Sequence, residues 1–293
     1  MLWFMLATCS ALLSAGSAIL QKKILFRLNA LEFSFILSLT VVILTVWIPF
    51  QTNVVSIPIS SLMIIIGKSI LGAGAFILVM LSLQHNQISS ALPLLGLTPA
   101  AAAILSYVIL GEELHHTEWI GIGLMMVGAY VLETKPHHTV PDQAKTEHQS
   151  QKYYFIYGAV ILFAVSSVYD RNLVGTLNVD PLAVLFYQHI VYTVLFFSAI
   201  MLRGAGIRSV LQLNSHLFAL IVIVALLTMA YRYTQLEATM LAPVALVLAV
   251  KRTSSLYATF FGGKFFSESR IGVKLVGAML IVAAGFLILR NAG

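Results

Sequence analysis

Charged side chains are scarce in this chain of 293 residues, since Asp, Glu, Lys and Arg together make up only 10% of it. Soluble domains average about 25% of these residue types. Hydrophobic residues account for 59% of the chain, and the mean hydropathy is +0.94. This composition excludes an ordinary soluble domain and predicts an all-α polytopic membrane protein. The net charge of +6 then indicates cations at the cytoplasmic ends of spans and beside lipid headgroups, so we expect no nucleic-acid partner.

Several chemistries lack the residues that they require. Cys9 is the only cysteine, which excludes an intramolecular disulfide and a cysteine-based metal site. The three aspartates, Asp142, Asp170 and Asp180, lie far apart in the sequence, whereas an enzyme acting on phosphorylated lipid needs clustered carboxylates for its metal ion. The polar stretch GEELHHTE (111–118) lacks the ligand spacing of a zinc site. No G-x-x-x-x-G-K-[ST] pattern occurs, so we expect neither ATP hydrolysis nor a bound cofactor or metal.

Apolar runs of about 20 residues, the length of a membrane-spanning helix, recur along the chain and are separated once by a long polar segment. This segment, 135–152, carries Pro136 and Pro141 and has no hydrophobic period, so we interpret it as a solvated linker. It divides the chain into a first unit, 1–134, and a second unit, 153–293, with five apolar runs each. The ten predicted spans are 2–21, 31–49, 59–83, 88–110, 117–133, 153–171, 181–202, 215–235, 239–261 and 270–290.

The two units resemble each other in sequence. ILGEELHHTEWIGIGLMMVGAYVL (109–132) aligns with FFSESRIGVKLVGAMLIVAAGFLI (265–288). At one constant spacing of 156 residues Glu112 matches Glu268, and these equivalent positions predict a structural role, such as capping a helix or pairing across the two units. Because five spans are an odd number, the second unit must enter the membrane from the opposite side. The sequence therefore predicts two inverted five-helix repeats, an architecture that places a substrate site between the repeats near the midplane.

These motifs also carry a family resemblance over essentially the whole chain. LGEEL and FSESR at the ends of the fourth and ninth spans, with the Gly-containing fifth and tenth spans, resemble EamA-type transporters of the drug/metabolite transporter (DMT) superfamily. The resemblance implies a ten-helix transporter with a central cavity lined by helices 1, 3, 4, 6, 8 and 9. The KRTS of the ninth span also resembles the Lys-Arg pair with which plastid sugar-phosphate translocators hold phosphate, a likeness that extends to Lys251 and Arg252 only.

Lys251 and Arg252 lie at the centre of the apolar run Met240–Phe261. A charged residue at this depth costs about 2.5–3.5 kcal/mol on insertion scales, and the planar guanidinium of arginine suits a carboxylate or phosphate. We therefore expect the pair to bind an anionic substrate. Two alternatives are internal pairing with Asp170 or Glu237, and a shallower helix from which both side chains reach the headgroups.

Further polar residues within or near the spans extend this candidate site. Instead of binding substrate, the substrate-binding candidates could form local backbone hydrogen bonds or contact the membrane interface. The candidates for gating or coupling could instead anchor a helix end at the lipid headgroups or simply pack in the protein interior. Lys68 in the third span is a possible additional site residue, or reaches the headgroups. The additional substrate-binding candidates are Arg232, Ser254 and Tyr257, and the gating or coupling candidates are Asp170, Arg171, Glu237 and His189.

The predicted function is secondary transport of a small polar, anionic metabolite by alternating access, rather than enzymatic catalysis. A lipid or lipid-carrier flippase would have nearly the same sequence features, and a membrane enzyme acting on phosphorylated lipid is a third alternative. The expected partners are the solute and membrane lipid, and the oligomeric state is left open.

Eleven Lys and Arg residues fall on one predicted side of the membrane and three on the other. The positive-inside rule then predicts both termini outside, whereas members of the resembling family more usually have them inside. We expect a multi-pass protein of the bacterial plasma membrane.

Overall fold

The computed structural model describes residues 1–51, 57–110, 116–133, 154–203, 214–268 and 271–289, and every regular element in these ranges is helical. Short 3₁₀ or π turns lie at Leu95–Leu97, Asn172–Thr176 and Ala258–Gly262. The α-helices are α1 (Leu2–Ile24), α2 (Ala30–Thr45), α3 (Ile48–Gln51), α4 (Ile59–His85), α5 (Ile88–Leu94), α6 (Thr98–Leu110), α7 (His116–Glu133), α8 (Tyr154–Arg171), α9 (Pro181–Leu202), α10 (Ser215–Leu241), α11 (Val244–Lys251), α12 (Ser254–Tyr257), α13 (Gly263–Phe265) and α14 (Ile271–Leu289).

Polar side chains begin three of the long helices. The side chain of Asn29 accepts a hydrogen bond from a backbone N–H of α2, and Asn214 does the same for α10. Asp180 caps α9, whose first residue is Pro181. Asn and Asp are preferred at this position because their side chains satisfy an N–H that has no partner within the helix, and proline is tolerated in the first turn. The polar residues between apolar runs thus fix where these helices start.

Seven helical segments of the described residues are long and apolar enough to cross a membrane. The all-α, multi-pass prediction is thereby confirmed. The three remaining predicted spans form the helices α7, α8 and α14, of 18, 18 and 19 residues, which do not belong to the seven. The count of ten spans stays a prediction. The seven segments are Leu2–Ile24, Ala30–Phe50, Ile59–His85, Ile88–Ile109, Pro181–Leu202, Ser215–Leu241 and Val244–Phe265.

The predicted run 239–261 does not form one helix. α10 continues to Leu241, and Ala242 is extended with φ −149° and ψ 159°. Pro243 causes this break, since proline has no N–H to donate and disfavours a helical conformation in the residue before it. Lys251 is the last residue of α11 and lies on the N-terminal side of the centre of its segment, Val244–Phe265, rather than at the centre as the sequence predicted.

Four helix pairs form the most extensive contacts in the described part of the fold: α1 with α10, α4 with α8, α2 with α9, and α7 with α14. At one of these contacts a glycine is required. A Cβ atom on Gly72 of α4 would lie 2.3 Å from the hydroxyl of Tyr192 in α9, and 3.4 Å from the Ser166 hydroxyl in α8. Absence of a side chain at Gly72 thus brings three helices together beside the cavity described next.

Candidate functional site

A partly open cavity of about 160 Å³ lies among the helices. Its wall includes residues of α1, α4, α5, α8, α10 and α11, which lie in the spans that the family resemblance implies. Residues of α2 and α9 also line the cavity. These helices are the second and seventh predicted spans, which the family resemblance does not imply as part of the wall. The polar and charged residues of the wall are Ser14, Ser17, Gln21, Ser34, Ser38, Ser166, Ser167, Asp170, Gln188, His189, Tyr192, Thr228, Tyr231, Arg232, Gln235, Lys251, Arg252, Ser254 and Ser255.

Helical periodicity explains why these polar side chains face one cavity. Residues three, four and seven positions apart lie on one face of an α-helix. In α1 the wall residues are Ser14, Ser17 and Gln21, and in α10 they include Thr228, Tyr231, Arg232 and Gln235. The same spacing relates Ser166, Ser167 and Asp170 in α8. Each of these helices thus presents a polar stripe to the cavity.

Asp170 is the centre of a buried charge network. Its carboxylate accepts hydrogen bonds from Lys68 Nζ at 2.7 Å and from Arg232 Nη2 at 2.6 Å. The Gln188 side-chain oxygen accepts from the same two groups, at 2.6 Å from Lys68 and 2.8 Å from Arg232. The side chains of Lys68 and Asp170 are 0% and 2% exposed, so Lys68 does not reach the headgroups. A buried ion network of this kind is retained only when its charges are paired and hydrogen-bonded.

Lys251 and Arg252 lie where the helix is interrupted, at the end of α11. The Lys251 ammonium donates to the side-chain oxygen of Gln235 and lies 4.7 Å from the centre of the Tyr231 ring. Arg252 Nη2 donates to the Thr98 hydroxyl at 2.9 Å. Both cations are half-buried and line the cavity. Their hydrogen-bond partners among the described residues are thus neutral, rather than the acids considered in the pairing alternative.

Cations outnumber acids on the cavity wall. Arg232, Lys251 and Arg252 line it, whereas Asp170 is the only acid among the described lining residues. In addition, the Nε groups of Arg232 and Arg252 are buried and have no hydrogen-bond partner in the described part of the chain. Buried polar groups are nearly always paired. The wall of the cavity therefore carries positive charge that the described acids do not balance.

His189 lines the same cavity from α9 and is 4% exposed. Its ring contacts that of Tyr192 edge to face, with 5.5 Å between the ring centres. Neither ring nitrogen has a hydrogen-bond partner among the described residues. The side chain is therefore held in place by packing alone.

The other predicted site residues divide between the cavity and its surroundings. Ser254 is part of the cavity wall, whereas Tyr257, Glu237 and Arg171 are not among the described lining residues. Tyr257 is 38% exposed, and Glu237 interacts with Tyr233. Arg171 donates to two backbone carbonyls at the end of α10, at 2.7 and 3.1 Å, so it points away from its sequence neighbour in the charge network.

Gln235 and Thr98 were not singled out in the sequence, although they bind the two central cations. The position of Gln235 could have been found, because it falls three residues after Arg232 on the polar face of α10. No comparable signal exists for Thr98, which is 154 residues from Arg252 in sequence.

Glu268 joins the end of the ninth predicted span to the start of α5. Its carboxylate accepts hydrogen bonds from the backbone N–H groups of Ile88 at 2.7 Å and Ser89 at 3.0 Å, and from the Ser89 hydroxyl. These N–H groups belong to a helix start, which favours a negative charge. Glu268 thus caps a helix of the other half of the chain. Its predicted counterpart, Glu112, lies outside the described residues.

Comparisons with known proteins agree with this architecture. Residues 1–134 match the model of the EamA-like transporter family. One solved structure, described only as "Crystal structure of protein", aligns with 99% of this chain and 97% of its own, with a TM-score of 0.73 and 14% sequence identity; at that identity the likeness shows the fold alone. A comparison with curated proteins found no match. The chain is thus an integral, multi-pass membrane protein whose residues 1–134 are similar to a domain of the EamA-like transporter family, within the drug/metabolite transporter superfamily.

Proposed function

We propose that the protein is a secondary transporter of a small polar anion and that the cavity is its binding site. The observation that carries this proposal is the excess of cations on the wall: Arg232, Lys251 and Arg252 against Asp170. At an effective dielectric constant of about 20, a unit charge about 4 Å from a cation gains roughly 4 kcal/mol. An anion in the cavity would gain this attraction from more than one side chain.

Within this proposal, Lys251 and Arg252 are the primary anion ligands. Lys251 would exchange its neutral partner Gln235 for the substrate, or bind both, since an ammonium has three donors. Arg252 donates one hydrogen bond to Thr98, and a guanidinium has further N–H groups that suit a carboxylate or phosphate oxygen. Arg232 would contribute from the opposite helix while remaining paired with Asp170. Ser254, at the start of α12, supplies a hydroxyl beside the pair.

The transport mechanism that we propose is alternating access of two inverted repeats, 1–134 and 153–293, connected by the linker 135–152. The helix contacts support this arrangement, since α1 packs on α10 as α8 packs on α4. Two cations at corresponding positions of the two proposed repeats also make corresponding contacts. Lys22 at the end of α1 donates to backbone carbonyls at the end of α4, and Arg171 at the end of α8 donates to those at the end of α10.

The interruptions of two helices support the same proposal. The 3₁₀ turn Leu95–Leu97 separates α5 from α6, and the break at 252–253 separates α11 from α12. Positions 95–97 and 251–253 are related by the spacing of 156 residues that relates Glu112 to Glu268. Both interruptions contribute residues to the cavity wall. Discontinuous helices that meet near the membrane midplane are typical of substrate sites in transporters with inverted repeats.

We propose that the site opens to one side of the bacterial plasma membrane and then to the other as one repeat rocks against the other repeat. An ion gradient, exchange with a second solute or the gradient of the anion itself would drive transport. The charge distribution favours an orientation with both termini outside. A reporter fused to the C-terminus tests the orientation, because activity of a reporter that functions only in the cytoplasm would overturn it.

The transport proposal is tested with purified protein in liposomes. Small carboxylates and phosphate monoesters are first screened by their thermal stabilisation of the detergent-solubilised protein, and radiolabelled uptake of the stabilising compounds is then measured. Lys251→Met is expected to abolish uptake, and Lys251→Arg to impair it, because the two cations differ in shape and donor geometry. Lys264→Met is the matched control, since Lys264 is exposed on the same segment.

Uptake by Lys251→Met at the wild-type rate would overturn the anion site. Parallel liposomes with fluorescently labelled phospholipid separate a solute transporter from a flippase. Lipid translocation without uptake of any soluble anion would overturn the transport proposal in favour of the flippase.

A further inference from the structure

Arg252 lines the cavity from the second half of the chain but is held by a residue of the first half. Its Nη2 group donates to the Thr98 hydroxyl at 2.9 Å. Arg252 is half-buried, whereas Thr98 is 0% exposed and is not among the described lining residues. A ligand in the cavity therefore lies beside Arg252 and not beside Thr98, so an effect of Thr98 on that ligand must pass through the arginine.

The local backbone explains why Thr98 is an acceptor. Pro99 has no N–H, so the Leu95 carbonyl lacks the hydrogen bond that residue 99 would donate to it in a regular α-helix. The Thr98 hydroxyl donates to this carbonyl at 2.7 Å, and the Thr98 backbone N–H donates to it as well. Because a hydroxyl has one hydrogen, only the lone pairs of Thr98 Oγ1 remain for Arg252. The helix interruption thus places a hydrogen-bond acceptor beside the guanidinium.

Resting on the proposed anion transport, we propose that Thr98 is a positioning residue, which holds the Arg252 guanidinium in the orientation that binds the anion. An arginine side chain has many rotamers, and ordering it before the ligand arrives removes part of the entropic cost of binding. Since Thr98 and Arg252 belong to different halves of the chain, the contact also makes the affinity for the anion depend on how the two halves are placed.

The other cations on the cavity wall are held in a different way. Lys251 donates to Gln235, and Arg232 donates to Asp170, so the partners lie in the same half of the chain as the cations. Thr98 is the one hydrogen-bond partner of the Arg252 side chain in the described part of the chain. Loss of the Thr98 hydroxyl therefore frees this guanidinium and leaves the other two cations in place.

Thr98→Val tests the inference, because valine is close to threonine in shape and has no hydroxyl. The full-length, detergent-solubilised protein is titrated with inorganic phosphate and with acetate, and each Kd is obtained from the rise of the melting temperature with anion concentration. For the anion that binds wild type more tightly, Thr98→Val is expected to raise the Kd about tenfold, as the loss of one hydrogen bond to a charged group predicts. Thr98→Ala, measured in parallel, should show the same loss.

Two further variants are expected to bind like wild type. Thr98→Ser retains the hydroxyl, so its Kd should remain within about twofold of the wild-type value. Thr45→Val is the matched control. The Thr45 hydroxyl is also buried, but in the described part of the chain it bonds only to carbonyls of its own helix, α2.

A double-variant cycle separates positioning from a general loss of structure. Arg252→Met still has Lys251 and Arg232 for the anion. In this background Thr98→Val should change the Kd by less than about twofold, because the residue through which Thr98 acts is absent.

Three results would overturn the positioning role while leaving the anion site intact. They are wild-type affinity of Thr98→Val and Thr98→Ala, a loss in Thr98→Ser as large as in Thr98→Val, and an equal effect of Thr98→Val with and without Arg252. Absence of binding of both anions to wild type would instead overturn the proposed anion site, and the inference with it.

Discussion

Asp170→Asn is the most direct test of the buried charge network. The substitution preserves the shape of the side chain but removes the charge that faces Lys68 Nζ at 2.7 Å and Arg232 Nη2 at 2.6 Å. At an effective dielectric constant of about 20, each of these contacts amounts to about 6 kcal/mol of attraction. Much of this attraction is offset by the cost of dehydrating the three charges. Removing one partner of a buried pair therefore lowers the free energy of unfolding by about 3–5 kcal/mol.

Chemical denaturation in mixed micelles measures this loss. Asp180→Asn is the matched control: it removes the same charge at the exposed start of α9, where asparagine caps a helix as well as aspartate. Its expected effect is below about 0.5 kcal/mol. A double variant, Asp170→Asn with Lys68→Met, should recover part of the stability, since only one buried cation then lacks its counter-ion. Equal stability of the two single variants would refute the assignment of Asp170 as the counter-ion of the network.

Two further predictions concern helix contacts. Gly72→Ala places a methyl group 2.3 Å from the Tyr192 hydroxyl and should push that ring toward the cavity, so that anion binding measured by calorimetry weakens at least severalfold. The control Gly67→Ala has open space around it and should bind the anion like wild type. Equal affinities of the two variants would contradict the close contact at Gly72. Lys22→Met removes a buried ammonium that donates to backbone carbonyls at the end of α4 and should lower the free energy of unfolding by about 1.5–3 kcal/mol. The same change at the exposed Lys23 should have little effect. A similar loss of stability in both variants would argue against the contact of Lys22 with α4.

Hydrophobic run length predicts most helix positions in this chain, because crossing the membrane requires a minimum apolar length. The predicted start and end of the seventh span, 181–202, agree with α9. The ninth span was displaced, because hydrophobicity continues through Met240–Phe261 whereas the backbone cannot remain helical before Pro243. Proline, rather than hydropathy, decides that boundary.

The candidate site was predictable in its residue types and not in its partners. Lys251 and Arg252 were identified because charge is costly within a span. Their partners Gln235 and Thr98 are neutral and therefore carry no such signal. Asp170 was predicted beside Arg171, its neighbour in sequence, but helical geometry directs the two side chains to different sides. Contacts between distant helices depend on how the spans pack, which no single span encodes.

The contact of Glu268 with the start of α5 has a consequence for the water path through the protein. Two charge-assisted hydrogen bonds from backbone N–H groups connect a segment of one half of the chain to a segment of the other half. Separating these segments would deprive the carboxylate of these two donors and of the Ser89 hydroxyl at once, so water can enter between the segments only when all three hydrogen bonds break.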